Sequence, residues 1–232
     1  VAEGLNSLPT VDRLLDPATT AKQTAYLRQF AARAKRAGLT PMLTETNSAA
    51  KEGRPGVTNS FGGALWTVDY LMTAAREGIG GVNLHTQMDD CGSYSVICFP
   101  NQKARKAARA HANPNYYAAR MASQMSGGAV LPVKVSSGGA HITAHAVRMP
   151  DGRVQVIVDD LDRSFRGTVR VELVGDDAVT ATVQRLTASS PDATGGTRLA
   201  GATVGPDGRF TPGADETLTA SDGRFAVRFQ RP

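Results

Sequence analysis

Long apolar runs are missing from this sequence. No stretch of its 232 residues approaches the roughly 18 consecutive apolar residues of a membrane span, so no spanning helix is expected. Cysteine is scarce. There are two, Cys91 and Cys98, and neither belongs to a spacing with histidine that holds zinc, so no metal site is expected. Nothing in the chain points to a cofactor. Lys and Arg outnumber Asp and Glu by 26 to 21, but the excess is spread along the chain. No dense basic cluster with interleaved aromatics appears, which argues against a nucleic-acid partner. Internal repeats are absent, and Val1-Ala2-Glu3-Gly4 is not the start of a signal peptide. What remains, 41% hydrophobic and 20% charged, is the composition of an ordinary globular protein with room for one large domain or two small ones.

The first half alternates helix and strand. Leu5 to Asp16 is expected to be a loop. Asp16-Pro17 then opens a helix, with proline at its first position. From Thr19 to Ala37, Ala25, Leu27, Phe30, Ala31 and Ala34 fall largely on one face, with Arg28, Arg33, Lys35 and Arg36 opposite. Gly38 ends this helix, and a short strand, Pro41 to Glu45, follows. A second helix runs from Ser60 to Glu77, with Trp66 in its core. Gly78 caps it, and Gly80 to Thr86 reads as a further buried strand. Two parallel strands joined by such a crossover form a right-handed unit. Met88 to Pro114 is irregular, acidic at its start (Asp89, Asp90) and basic at its end (Lys103 to Arg109). A helix begins at Asn115 and stops at Gly127-Gly128.

After Gly128 the pattern changes to short period-two runs: Val130 to Val135, His141 to Arg148, Val154 to Asp159, Thr168 to Leu173, Val179 to Leu186 and Phe225 to Phe229. Asp-Gly turns separate several of them, which is a hairpin signal. Strands at such spacing argue for an antiparallel β-sandwich. The expected division is residues 1–126 and 127–232. His141 and His145 are read as surface or packing residues.

One position carries the chemistry. Glu45 ends a short strand, followed by Thr46-Asn47-Ser48, the loop Lys51-Glu52-Gly53-Arg54-Pro55-Gly56 and the second helix. A carboxylate there is where a (β/α) barrel enzyme reacts. The plainer alternative is a turn cap or a surface ion pair. His85, at the end of the next strand, is either a wall residue or a substrate contact. Cys91 and Cys98, seven positions apart, either close a small ring in an exported protein or are two separate thiols.

The run Glu45-Thr46-Asn47-Ser48, then Gly53, Pro55-Gly56-Val57 and Phe61-Gly62-Gly63-Ala64-Leu65-Trp66-Thr67-Val68-Asp69-Tyr70-Leu71, resembles the nucleophile region of glycoside hydrolase family 79. That family includes bacterial β-glucuronidases and heparanase. Gly78-Ile79-Gly80-Gly81-Val82-Asn83-Leu84-His85-Thr86 is similar to its next barrel strand. The likeness covers about residues 40 to 125 well and the rest more loosely.

The resemblance implies the C-terminal part of a (β/α)8 barrel, incomplete here, followed by an antiparallel β-sandwich. It implies a retaining hydrolase of β-glucuronides or glucuronic-acid-containing glycans, extracellular or periplasmic. Glu45 would be its nucleophile, and Tyr94, with Gly92 and nearby backbone N–H groups, would hold the sugar carboxylate. The family's acid/base glutamate follows an asparagine on an earlier strand. No Asn-Glu pair occurs here, so that residue is expected on a missing N-terminal barrel segment, and the isolated chain is expected to be inactive. A non-catalytic carbohydrate-binding remnant is the alternative. The sequence also departs from heparanase-like members, which carry several glycines soon after the nucleophile. Lys51 and Glu52 stand in that region here, and only Gly53 remains.

Overall fold

The computed structural model describes residues 9–205 and 207–229; Leu5 to Leu8 of the first expected loop and Pro206 of a predicted turn lie outside them. The N-terminal portion of the described chain holds α1 (Val11–Leu14), α2 (Pro17–Arg36), β1 (Met42–Thr46), α3 (Phe61–Arg76) and β2 (Gly81–Leu84). Part of the expected first loop is therefore helical: the Thr10 side chain accepts the Arg13 N–H and starts the turn, and Val11 and Leu14 are buried.

Helix α2 has the signals read from its sequence. The Asp16 carboxylate accepts the Ala18 N–H at 2.7 Å, and Pro17 occupies the first turn. At the other end Gly38 has φ +69°, its N–H reaches the Lys35 carbonyl, and the Leu39 N–H reaches the Ala34 carbonyl. That pair of bonds is a Schellman motif. Helix α3 ends the same way, with Gly78 at φ +85° and Ile79 N–H on the Ala74 carbonyl. Leu27 and Ala31 of α2 are buried, but Ala25 is exposed. Gln23 faces inward instead, because its side chain accepts the Trp66 indole N–H at 3.0 Å.

Helix α3 is the centre of the molecule. Twelve of its sixteen residues are buried, on every side, as expected of a core helix. One apolar cluster joins it to α1, α2 and β1 through Leu14, Leu27, Leu43, Trp66 and Tyr70. Trp66 stacks on Tyr70 with ring centroids 4.7 Å apart. A second cluster joins it to α5 (Pro114–Ser123) and to strands β6 (Ile142–Arg148) and β7 (Val154–Asp160), through Phe61, Val68, Ala118, Val147 and Ile157. Its first backbone donors are satisfied by the C-terminal region: Phe61 N–H bonds the Ala193 carbonyl and Gly62 N–H that of Pro191.

Strands β1 and β2 pair in parallel, as the crossover reading requires. No further strand joins them among the described residues. The stretch from Met88 to Pro114 is less irregular than expected. It contains β3 (Ile97–Cys98) and β4 (His111–Ala112), paired antiparallel, around α4 (Gln102–Lys106). The later strands form one three-stranded sheet, with β6 between β5 (Ala129–Leu131) and β7, and several two-stranded ribbons. The ribbons are β8 (Gly167–Glu172) with β13 (Arg224–Phe229), β9 (Thr180–Val183) with β12 (Glu216–Thr219), and β10 (Leu186–Thr187) with β11 (Arg198–Leu199). The run Val130 to Val135 pairs only as far as Leu131, since Pro132 lacks the N–H a ladder needs. The run Val179 to Leu186 breaks into β9 and β10, and β11 and β12 carry no strand signal in the sequence because neither shows a long alternating pattern.

Candidate functional site

Glu45 owes its placement to a β-bulge. Leu43 pairs with Val82 and Thr46 with Leu84, so two residues of β1 face one of β2. Leu43 is buried under the helices, and Thr46 faces the same layer, its hydroxyl 3.1 Å from the Tyr70 hydroxyl on α3. Regular alternation would turn Glu45 to the side of Leu43. The extra residue breaks the alternation, as bulges commonly do beside functional sites, and Glu45 is exposed.

The residues after Glu45 hold the strand ends together. The Asn47 amide donates to the His85 carbonyl at 2.7 Å, and the His85 N–H donates to the Thr46 carbonyl at 2.9 Å. Asn47 Oδ1 accepts the Ser48 N–H at 2.8 Å. The loop then passes through three successive left-handed residues: Lys51 at φ +56°, Glu52 at +66° and Gly53 at +90°. Glycine is required at the third for a second reason. A Cβ there would lie 2.8 Å from the Tyr94 ring and 3.1 Å from its backbone nitrogen.

Tyr94 sits behind this loop, buried, with its hydroxyl 2.7 Å from Nδ1 of the exposed His85. The two rings meet edge to face. Burial pushes the Tyr94 phenol above its ordinary range. The Glu52 backbone N–H opposes that rise, and the negative charges of Glu52 and Glu45 add to it. Glu45, Tyr94 and His85 therefore belong to one electrostatic neighbourhood at the ends of β1 and β2.

The loop carrying Tyr94 is anchored from below. Cys91 and Cys98 form a disulfide, with Cα atoms 5.2 Å apart, which decides between the two readings of the pair. Asn113 and Asn115 are each 1% exposed. Asn113 donates to the carbonyls of Ser95 and Cys91, and Asn115 to those of Thr58 and Tyr94. Asn59 reaches the Cys91 carbonyl as well. The two asparagines carry no catalytic signature, and the sequence pattern does not single them out. Flanking Pro114 at the start of α5 is the pattern that could have marked them. The Gly92 N–H is taken by Asp90 Oδ1 at 2.7 Å. Arg54 donates to the Pro9 carbonyl at 2.8 Å.

Away from this face, His145 is fully interior, which corrects the surface half of its expected role. Its Nε2 lies 3.1 Å from Asp69 Oδ1 on α3. His141 Nδ1 meets the Leu15 carbonyl at 2.7 Å. An open cleft of about 1200 Å³ runs between β7 and the later ribbons, lined by Ile157, Val171, Leu218 and Phe225 among others, and neither Glu45 nor Tyr94 borders it. Among the described residues no three His, Cys, Asp or Glu side chains converge on a point that could hold a metal ion. Among them, too, no helix is long and apolar enough to cross a membrane.

No family model matches the chain. In sequence it is 33% identical to a β-glucuronidase of Aspergillus niger over 91 residues, 39% of this chain and 16% of that protein. It is 49% identical to a β-glucuronidase of Neurospora crassa over 41 residues, 18% of this chain and 7% of that one. In structure it is similar to a 4-O-α-L-rhamnosyl-β-D-glucuronidase from Fusarium oxysporum, with TM-score 0.78 and 21% identity, over 96% of this chain and 48% of the other. A GH51 arabinofuranosidase from Xanthomonas axonopodis gives TM-score 0.65 at 14% identity, over 98% of this chain and 48% of the other. The matched region is a small part of the curated relatives and about half of these solved structures. Along part of its sequence the chain is similar to fungal β-glucuronidases, and along nearly all its length it has a fold shared with glycoside hydrolases.

Proposed function

We propose that this chain is a portion of a retaining glycoside hydrolase of β-glucuronidase type, of the family 79 kind, acting on β-glucuronides or glycans that contain glucuronic acid. Its first 126 residues are read as the C-terminal part of a (β/α)8 barrel, and residues 127–232 as a β-sandwich domain. The observation that carries the reading is the bulge that brings the Glu45 carboxylate out at the end of a parallel strand, near enough for its charge to act on the Tyr94 phenol that His85 meets.

Such enzymes work with two carboxyl groups about 5–5.5 Å apart, one attacking the anomeric carbon and one serving as acid and then base. Glu45 is the attacking group. Tyr94 meets the sugar carboxylate, with the loop at Gly92 as its frame; the Gly92 N–H reaches a ligand only by leaving Asp90. The acid/base is supplied by a barrel segment beyond the described residues. The disulfide supports export, since such bonds persist in oxidising compartments.

The experiment is covalent trapping. Incubated with a 2-deoxy-2-fluoro-glucuronyl fluoride, whose leaving group needs no acid, the chain releases the anomeric fluoride and gains one 2-deoxy-2-fluoro-glucuronyl unit on the peptide containing Glu45. Glu45→Gln gains none. A label on another residue, or no label, overturns the assignment. Release of nitrophenol from a nitrophenyl β-glucuronide by the 232-residue chain stays at background; turnover at enzymatic rates overturns the claim that the acid/base lies elsewhere.

A second reading, a binding remnant without catalysis, is favoured by one observation. The other carboxyl group acting on the Tyr94 phenol is Glu52, on the same loop as Glu45, rather than one on another strand. Saccharide binding with no trapped adduct selects that reading.

A further inference from the structure

Lysine and arginine are spread along the chain, but aspartate and glutamate are not. From Cys91 to Pro150 neither acid occurs, while seven of the 26 Lys and Arg fall there. The rest of the chain holds 19 basic residues against all 21 acidic ones, so the positive net charge belongs to this one segment. Its densest part is Lys103, Arg105, Lys106 and Arg109, with His111 close behind, and all five are exposed. Arg105 is held by Asp89 at 2.6 Å. Lys103, Lys106 and Arg109 form no ion pair among the described residues.

The patch is a projection fixed at its foot. No residue of α4 is buried. The Asn101 side-chain oxygen accepts the Ala104 N–H at 2.9 Å. At the far end the Arg109 N–H reaches the Ala104 carbonyl at 2.8 Å, past Ala108 at φ +52°. Below, Cys98 of β3 pairs with His111 of β4, and the disulfide joins Cys98 to Cys91. The ring so closed contains Gly92 and Tyr94. The cations therefore ride on the same braced loop as the residues read as the uronate contact. Lys103 and Lys106, three apart in one helix, are neighbours whose like charges repel. Positive charge left uncompensated by the protein favours a ligand that brings several negative charges.

We propose that Lys103, Lys106 and Arg109 form a binding patch for an acidic glycan, one with repeated carboxylate groups beyond the sugar held at Glu45 and Tyr94. This rests on the proposed reading of the chain as part of a glucuronidase. It adds that the substrate is a polymer rather than a single glucuronide. The composition of the patch separates a glycan from other polyanions. Single-stranded nucleic acid is held by bases stacked on aromatic rings, and a membrane surface holds a helix by its buried apolar face. From Pro100 to Asn115 the apolar residues are alanine and proline alone. Exposed, unpaired cations without rings or large apolar neighbours suit a chain of hydrated, charged sugars.

The test uses the 232-residue chain and fluorescein-labelled hyaluronan, which carries a glucuronate at every second sugar, with binding followed by anisotropy. The chain binds it at 50 mM NaCl, and 200 mM NaCl weakens binding roughly ten-fold, because the contact is between ions. Lys103→Gln, Lys106→Gln and Arg109→Gln together lower the affinity by about ten-fold. All three side chains are exposed, so the variant folds, which circular dichroism checks. Lys134→Gln removes an exposed lysine of the same acid-free segment outside the patch and leaves the affinity unchanged. The proposal is overturned if hyaluronan is not bound, if the triple variant binds like the parent, or if Lys134→Gln loses as much. It is overturned as well if a single-stranded oligonucleotide or phosphatidylserine vesicles bind more tightly than hyaluronan. The glucuronyl fluoride is a single sugar with no second carboxylate to place on the patch, so trapping at Glu45 keeps the two readings apart. Trapping without hyaluronan binding overturns the patch alone. Hyaluronan binding that needs the three cations, without trapping, overturns the nucleophile and supports the patch.

Discussion

Asp159 is a carboxylic acid fully enclosed where the β6–β7 sheet lies against α3. Thr143 pairs with Asp159 across the ladder and His145 with Ile157, so Asp159 and His145 are diagonal neighbours on one face, and His145 bonds Asp69. Burial pushes the Asp159 carboxyl well above its usual range, and the charges of Asp69 and Asp160 add to that. Asp160, half-buried, is pushed up to about 6, again by burial first. The sign follows from linkage: a folded pKa above the unfolded one means the native state holds the proton more tightly. Stability from these groups is complete below about pH 4 and is lost as pH rises through the folded value. Asp160→Asn keeps an oxygen for the Asp162 N–H, which Asp160 Oδ1 accepts at 3.0 Å. Its melting temperature should therefore match the parent near pH 4 and exceed it at pH 7, by roughly 2–4 °C for each kcal/mol regained. A difference that instead shrinks as pH rises from 4 to 7 contradicts the account. Glu52 offers a separate residue-scale check. Its left-handed φ of +66° costs a non-glycine residue about 1 kcal/mol, so Glu52→Gly should raise denaturant stability by roughly that amount, with m unchanged.

Elements with local signals were legible in the sequence. Asp16-Pro17 and Gly38 bound α2, and Ser60 and Gly78 bound α3, because caps and left-handed termini are chemistry of the residue itself. The two-residue strands β3 and β4 were not legible. Their pairing is set by a disulfide and by Asn113, whose side-chain partners Cys91 and Ser95 stand 22 and 18 residues before it in sequence. The site divided the same way. Glu45 at a strand end and the residues near Tyr94 could be named, while the bulge that turns Glu45 outward depends on pairing with β2, which no single-strand pattern shows. Asn115 tests how much the Tyr94 loop owes to that scaffold. Asn115→Ala leaves the Thr58 and Tyr94 carbonyls without their shared donor in a buried place, at a cost of about 1–3 kcal/mol. Amide exchange in the 91–98 loop should accelerate well before global unfolding does; uniform loss of protection across the chain would count against the anchoring role.

At the scale of the molecule, α3 belongs to both apolar clusters. Its Trp66 and Tyr70 face α1, α2 and β1, and its Phe61, Ala64 and Val68 face α5, β6 and β7. The same helix takes the Ala193 and Pro191 carbonyls on its first N–H groups and presents Asp69 to His145. Neither half buries its apolar face without this one element, so melting either side exposes a helix that is buried all round. Trp66 is the single tryptophan of the chain and reports the first cluster, whereas most strand residues follow α5 in the chain, in the part reported by the far-ultraviolet β signal. A shared helix couples the two, and the expected outcome is coincident denaturant curves for Trp66 fluorescence and for circular dichroism. Val68→Ala, deep in the second cluster at 2% exposed, should shift both curves together by about 1–3 kcal/mol. A fluorescence transition that stays in place while the β signal moves would show that the helix serves two independently folding units.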